Sequence, residues 1–184
     1  SPAGENQPSP FTRRGPSVKG AIKPDLMAVG GNLASPVRSD GYQTPIMRGM
    51  GVLTCNRQFV GNPLFSEISG TSFASPYVTH LAGRLLNNYP QASANLLRAM
   101  LVNHASVPHE VESTFSPEMK DGYKKICRRD VVRDMAGYGL IDDDALYRSS
   151  QHVVVMMAEE NIDNDAHHFF ELPLPEEFLR TELA

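Results

Sequence analysis

The clearest hydrophobic pattern in the chain follows Ser72, where apolar side chains recur every three or four residues. The positions are Ala74, Tyr77, Val78, Leu81, Ala82, Leu85, Leu86 and Tyr89. This spacing places them on one face and predicts a buried helix that Pro90 ends. Ser93 is a suitable N-cap for a second helix, whose apolar stripe is Leu96, Leu97, Met100 and Leu101.

Short strands and turns are predicted on either side of these helices. Apolar runs at residues 21–22 and 26–29 flank Pro24 and indicate a short strand. Residues 32–66 show no clear period and contain many glycines and prolines, which predicts a long surface loop. Residues 137–142 form a glycine-containing turn that leads into a short helix around residues 143–148.

The last part of the chain has a different pattern. Residues 152–159 and 167–172 are strand-like runs, and the segment between them is rich in the turn formers Asn and Asp. These runs predict a hairpin. We therefore expect a boundary near residue 150, with residues 151–184 as the start of a β-rich C-terminal extension.

Composition and charge exclude several classes of protein. The length of 184 residues, with 41% hydrophobic and 21% charged residues, is that of an ordinary globular chain. A net charge of -4 and only one short basic run, at residues 124–129, argue against nucleic acid as a partner. Two cysteines without a C-x-x-C pair argue against a disulfide framework or a zinc ribbon.

No apolar run approaches the length of a membrane span, so we expect no membrane partner. Localisation, cytoplasmic or secreted, stays open.

Ser72 is the candidate for chemistry because it lies where the first helix begins. A serine hydroxyl becomes a nucleophile when a base removes its proton, and free N–H groups at a helix start can stabilise the resulting oxyanion. Pro76 breaks a local rule beside it, since proline lacks the N–H that would bond the carbonyl of residue 72. A structural alternative explains the same features, with Ser72 as a helix cap and Pro76 tolerated in the first turn.

A resemblance to a known family bears on this choice. Gly70-Thr71-Ser72-Phe73-Ala74-Ser75-Pro76 resembles the G-T-S-x-A-x-P nucleophile motif of the subtilisin-like serine proteases, the subtilases, at every defined position. Three further segments resemble family motifs in the same order, although Val29 replaces a proline that is usual there. They are Phe11-Thr12-Arg13-Arg14-Gly15-Pro16, Ile22-Lys23-Pro24-Asp25-Leu26-Met27-Ala28-Val29-Gly30 and Gly137-Tyr138-Gly139-Leu140-Ile141.

The resemblance covers about residues 11–148 and implies both a fold and a reaction. The implied fold is α/β, a doubly wound, mostly parallel sheet, of which residues 1–150 would form the C-terminal part of the catalytic domain. The implied function is a serine endopeptidase acting on protein or peptide substrates, with Ser72 as the nucleophile. Gly70, Thr71 and Ser72 would position the substrate backbone and the oxyanion. No cofactor is expected.

The other members of the catalytic triad are not assigned in this chain. In subtilases the catalytic Asp, the catalytic His and the oxyanion-hole Asn precede the serine, and here they would precede Phe11. All six histidines follow Ser72, so none matches the general base. We therefore expect this sequence to be a fragment that is inactive alone and that needs the upstream half of the same domain as a partner.

Two alternative functions and one candidate metal site bear on this interpretation. A non-catalytic subtilase-like remnant that serves as an interaction module would be recognised by the loss of the upstream Asp, His and Asn motifs. A lipase-like hydrolase would place G-x-S-x-G around the nucleophile, and Ala74 occupies its final glycine position. Many subtilases bind calcium, but the acidic runs at residues 142–144 and 163–165 lack EF-hand features and are better explained by capping and turns.

Overall fold

The computed structural model describes residues 3–33, 48–115, 118–121, 124–147 and 155–171. The chain divides into two compact units, Ser1–Tyr147 and Arg148–Ala184. All helices and strands of the described residues lie in the first unit. After a single 3-10 turn at Val18–Gly20 they are, in chain order, β1 (Val52–Cys55), β2 (Phe65–Ile68), α1 (Thr71–Asn88), α2 (Ala94–Asn103), β3 (Ala105–Ser106), α3 (His109–Thr114), β4 (Glu118–Asp121), β5 (Lys124–Cys127), α4 (Arg128–Ala136), β6 (Leu140–Ile141) and α5 (Asp143–Tyr147).

The two helices predicted after Ser72 are confirmed. Helix α1 ends at Asn88, just before Pro90, and its Leu81 and Leu85 are completely buried. Helix α2 begins after Ser93, whose hydroxyl accepts a hydrogen bond from the N–H of Leu96 at 3.1 Å. A capping serine of this kind stabilises a helix by about 1 kcal/mol. Periodicity and capping chemistry therefore predicted this part of the fold correctly.

The prediction of a loop throughout residues 32–66 is wrong over its second half. Strands β1 and β2 pair antiparallel there, with Val52 opposite Ile68 and Cys55 opposite Phe65. Each strand has only four residues, too few to show a period when glycines and prolines lie close by. The hairpin leads directly into α1, so it carries the chain to Ser72. Residues 34–47 lie outside the described residues.

The fold belongs to the α/β class, but no doubly wound parallel sheet is seen among the described residues. Their strands form three two-stranded antiparallel ladders, β1–β2, β3–β6 and β4–β5. Met27 and Leu140 form a parallel bridge, in which the N–H of Met27 donates to the carbonyl of Gly139 at 2.7 Å. Strand β6 therefore has an antiparallel partner in β3 and a parallel partner in the segment around Met27.

The core of the first unit lies between its helices. Leu81 and Leu85 of α1, Met100 and Leu101 of α2, and Leu146 of α5 are buried. A second cluster joins α3 to α4 through Val111, Val132 and Ala136, with Met27, Val107 and Phe115 packed against it. These contacts hold α1 firmly along its middle and leave its first turn at the surface.

The second unit, described over residues 155–171, has a turn at Asn164–Asp165 and no strand within those residues. The N–H of Ala166 donates to the carbonyl of Asp163 at 3.2 Å, so the predicted turn is present. The predicted hairpin is not formed over this range, since an isolated pair of short strands has little stability of its own. Both predicted strands continue outside the described residues, and the β-rich extension stays a prediction.

Candidate active site at the start of helix α1

The site is built around the first turn of α1, with Gly70 as its N-cap, Thr71 as its first residue and Ser72 as its second. Ser72 is exposed. The chain bends at Gly70, whose backbone is extended, with φ 163° and ψ 158°, a conformation that any residue can adopt. A Cβ atom at Gly70 would lie 3.9 Å from the Ser72 nitrogen, an ordinary contact.

The capping alternative for Ser72 does not match this geometry. The cap is Gly70, which has no side chain to accept a hydrogen bond, and Ser72 already lies inside the helix. The hydroxyl of Ser72 has no hydrogen-bond partner among the described residues. Pro76 is the sixth residue of α1 and thus lies beyond the first turn, where a proline is usually tolerated. Helix capping therefore does not explain this serine.

Backbone donors are free beside the hydroxyl. The N–H of Phe73 donates to the carbonyl of Gly70 at 3.1 Å, whereas those of Thr71 and Ser72 have no acceptor among the described residues. The first N–H groups of a helix have no partner within the helix and carry part of the positive end of its dipole. An anion that forms next to Ser72 would thus meet at least one unengaged donor.

The segment at Gly30 supports the turn that leads into α1. The N–H of Gly70 donates to the carbonyl of Gly30 at 2.7 Å. A Cβ atom at Gly30 would lie 2.8 Å from the carbonyl oxygen of Gly70 and 3.7 Å from the Cβ of Ala74. Two of the segments that resemble family motifs, one ending at Gly30 and one starting at Gly70, are therefore in direct contact.

No general base lies at hydrogen-bond distance from Ser72 among the described residues. His80 is on α1 but eight residues further on, about 12 Å along the helix axis at 1.5 Å per residue. His104 bonds the carbonyl of Met100 through Nδ1 at 2.8 Å, and His168 of the second unit pairs with Glu160 at 3.3 Å. His152 lies outside the described residues.

A cavity of about 940 Å³ lies along the apolar side of α1. Ala74, Val78 and Ala82 of α1 line it, together with Leu97 and Leu101 of α2. Thr71 and Ser75 also contribute, whereas Ser72 does not. The hydroxyl of Ser72 is therefore at the surface beside this cavity and not inside it.

The carboxylate of Asp25 accepts hydrogen bonds from two basic side chains. It accepts hydrogen bonds from Lys23 and, at 2.8 Å, from Arg98 of α2. The bond from Lys23 lowers the pKa of Asp25, burial partly opposes that effect, and the bond from Arg98 lowers it further. Its carbonyl also accepts from the N–H of Tyr138 at 2.8 Å. Asp25 thus ties the segment that leads to Gly30, in which the predicted short strand is present only as the bridge at Met27, to α2 and to the turn at Tyr138.

Tyr147 fastens α5 to the middle of α1. Its hydroxyl donates to the carbonyl of Leu81 at 3.0 Å, and the guanidinium of Arg84 lies 4.1 Å from the centre of its ring. Burial raises the pKa of Tyr147, and Arg84 partly opposes that rise. Arg84 also pairs with Asp143 at 3.2 Å. These contacts keep α1 fixed behind the site.

The acidic runs considered for calcium have structural roles in the described residues. Asp142 caps α5 by accepting a hydrogen bond from the N–H of Ala145 at 3.1 Å, and Asp143 pairs with Arg84. Within the described residues, no three His, Cys, Asp or Glu side chains are grouped as a metal ion would need. Cys55 and Cys127 are both exposed free thiols. Over the same described ranges, no helix is long and apolar enough to cross a membrane.

Comparison with protein families gives one clear match. The model of the subtilase family matches residues 3–139, which includes the segments at Gly30, Ser72 and Gly139. No solved structure matches.

Three curated relatives are similar to this chain. An uncharacterised protein of Sinorhizobium fredii, y4bN, is 38% identical over 177 residues, which cover 94% of this chain and 38% of that protein. A serine protease/ABC transporter B family protein of Dictyostelium discoideum, tagD, is 32% identical over 118 residues, which cover 56% of this chain and 6% of that protein. The serine protease AprX of Bacillus subtilis is 30% identical over 93 residues, which cover 50% of this chain and 19% of that protein. The chain therefore spans less than half the length of each of these relatives.

Proposed function

This chain belongs to the subtilase family, and from that premise we propose that it carries the nucleophile of a serine endopeptidase, with Ser72 in that role. The substrates are proteins or peptides. The observation that carries the proposal is the exposed hydroxyl of Ser72 in the first turn of α1, next to its own unengaged N–H.

Peptide hydrolysis requires a nucleophilic oxygen and, close to it, a hydrogen-bond donor for the oxyanion. The Oγ of Ser72 forms a bond to the carbonyl carbon of the scissile peptide, while its proton passes to a base. The carbonyl oxygen becomes an oxyanion that the N–H of Ser72 stabilises, and each such donor is worth about 10²- to 10³-fold in rate. Collapse breaks the C–N bond, and the base returns the proton to the leaving amine. Water then hydrolyses the acyl ester and regenerates Ser72.

The base is proposed to be a histidine outside this chain, oriented by an aspartate and joined by an oxyanion-hole asparagine. Support comes from the described histidines, none of which bonds Ser72. The part of the catalytic domain that carries these three residues would also complete a doubly wound, mostly parallel sheet. The parallel bridge at Met27 supports this view because it shows one parallel pairing, and the cavity beside Val78 and Leu97 supports it because it leaves space against apolar side chains of α1 and α2.

The proposal is tested by peptide hydrolysis with the protein expressed from its complete coding sequence. Ser72→Ala should lower kcat by about 10³-fold or more and leave KM little changed, because the nucleophile acts on bound substrate. Thr79→Ala is the matched control. It removes another exposed hydroxyl of α1, which bonds the carbonyl of Ser75 at 3.0 Å, and it should leave the activity unchanged. Activity that is equal in the wild type and Ser72→Ala would contradict the proposal and favour a non-catalytic interaction module.

A further inference from the structure

We propose that Ser69 is a positioning residue for Ser72, and this inference rests on the proposed function. Ser69 lies three residues before Ser72, just before the N-cap of α1. It does not belong to the helix, and its hydroxyl bonds Asn32 and not Ser72. Its hydroxyl instead ties the chain that enters α1 to the segment Gly30-Gly31-Asn32, which we call the glycine platform.

Two hydrogen bonds join the turn to this platform. The hydroxyl of Ser69 donates to the carbonyl of Asn32 at 2.7 Å in a part-buried position. The N–H of Gly70 donates to the carbonyl of Gly30 at 2.7 Å. The bonds leave adjacent residues of the turn and end on carbonyls two residues apart. The turn is therefore held at two points, and its direction into α1 is set by both.

The platform is itself anchored by hydrogen bonds to other parts of the chain. The N–H of Asn32 donates to the carbonyl of Met50 at 2.7 Å, and its side-chain amide donates to the carbonyl of Ala3 at 2.7 Å. The hydroxyl of Ser9 donates to the carbonyl of Gly31 at 2.6 Å. The carbonyl that accepts the bond from Ser69 thus belongs to a segment held by three other hydrogen bonds. The glycine platform is therefore a rigid support for Ser69.

Packing at Gly31 shows how closely Ser69 approaches. Gly31 has a positive φ of 81°, a conformation that favours glycine, and a Cβ atom there would lie 2.6 Å from the Oγ of Ser69. The backbone of the platform therefore lies directly against the Ser69 side chain. If the hydroxyl were lost, the part-buried carbonyl of Asn32 would lose its donor and the turn would keep only the bond at Gly70.

Loss of one of two supports is expected to affect chemistry more than binding. A displacement of about 1 Å at a reacting atom can cost about 10²-fold in rate. We expect Ser69→Ala to lower kcat about 10- to 100-fold with KM nearly unchanged. Ser69→Thr keeps the hydroxyl and should recover most of the loss. The matched control is Ser113→Ala, which removes a serine hydroxyl that bonds the carbonyl of Glu110 at 3.1 Å in α3.

The decisive assay uses the complete protein, with kcat expressed per active site titrated by a fluorophosphonate. This normalisation removes any effect of partial unfolding, so a purely structural role would leave kcat per site unchanged. Lower kcat per site in Ser69→Ala, with recovery in Ser69→Thr, is the expected result. An unchanged kcat per site in Ser69→Ala, or an equal loss in Ser113→Ala, would overturn the inference.

Hydrogen exchange tests the same inference without activity. The N–H of Gly70 should exchange at least about tenfold faster in Ser69→Ala than in the wild type or Ser113→Ala, because the turn opens more readily. This readout distinguishes the two proposals. If the protein hydrolyses no peptide but Ser69→Ala speeds the exchange at Gly70, the proposed peptidase function is contradicted. The link between Ser69 and the start of α1 is then still supported. Unchanged exchange at Gly70 would contradict the role of Ser69.

Discussion

The N–H of Gly70 donates to the carbonyl of Gly30 at 2.7 Å, and this bond joins the two motif-bearing segments of the chain. One segment ends at Gly30, and the other begins at Gly70, the N-cap of α1, two residues before Ser72. The position of the candidate nucleophile therefore depends on a long-range backbone contact, and not only on the local sequence around it.

The first prediction concerns the close contact at this bond. Gly30→Ala would place a Cβ atom 2.8 Å from the Gly70 carbonyl oxygen, which is backbone and cannot rotate away. We expect a loss of about 1–3 kcal/mol in the free energy of unfolding, measured by denaturant titration, and a loss of peptidase activity. Gly83→Ala is the control, since nothing lies within 4 Å of a Cβ there and alanine should stabilise α1 by up to about 1 kcal/mol. If Gly30→Ala has the stability and activity of the wild type, the close contact between Gly30 and Gly70 does not help to position α1.

The second prediction concerns the attachment of α5. Tyr147→Phe removes the hydroxyl that donates to the Leu81 carbonyl, while keeping the ring under Arg84. The expected loss is about 0.5–1.5 kcal/mol in the free energy of unfolding, measured by denaturant titration. The control is Tyr138→Phe, because the hydroxyl of Tyr138 has no partner among the described residues. If Tyr147→Phe and Tyr138→Phe change the free energy of unfolding equally, the bond from Tyr147 to the Leu81 carbonyl does not stabilise the protein.

The third prediction concerns acid sensitivity at Asp25. Its pKa is lowered in the folded protein from 3.8, chiefly by the bond from Lys23, so the folded state binds this proton less readily than the unfolded chain. The stability that Asp25 contributes is therefore full above pH 3.8 and is lost as the pH falls through the lower, folded pKa. Asp25→Asn should lower Tm at pH 7, and the difference from the wild type should shrink below pH 3.8. A difference that stays constant down to pH 2 would contradict this assignment.

The sequence predicted α1 and α2 well because their apolar stripes and the cap at Ser93 act locally. The motif around Ser72 was equally visible, since its residues are contiguous. The family match over residues 3–139 bears out the resemblance that these motifs indicated. The short helix predicted near residues 143–148 is present as α5, and its cap is Asp142.

Other features could not be predicted because they depend on contacts far apart in sequence. The hairpin of β1 and β2 has four-residue strands, whose alternation is too brief to distinguish from a loop. The bond from Ser69 to the carbonyl of Asn32 could not be predicted, because every residue has a backbone carbonyl and nothing in the sequence shows which one a serine hydroxyl will bond. The parallel sheet expected from the resemblance needs strands beyond the single bridge at Met27, so the described residues do not form it.

The fourth prediction is that the isolated 184-residue chain hydrolyses no peptide. Ser72 has no base among the described residues, and in subtilisin the loss of the nucleophile or the base costs about 10⁶-fold in kcat. A purified sample of residues 1–184 should show no turnover above background in a fluorogenic peptide assay. Hydrolysis by this sample that Ser72→Ala abolishes would show that the base lies within the chain.

The central claim, that Ser72 is the nucleophile, is tested most directly by covalent labelling. The protein expressed from its complete coding sequence is treated with a fluorophosphonate, digested and analysed by mass spectrometry to locate the adduct. The account predicts one adduct, on the peptide that contains Ser72, which is present in Thr79→Ala and absent in Ser72→Ala. Labelling that persists in Ser72→Ala, or an adduct on a different residue, would contradict it.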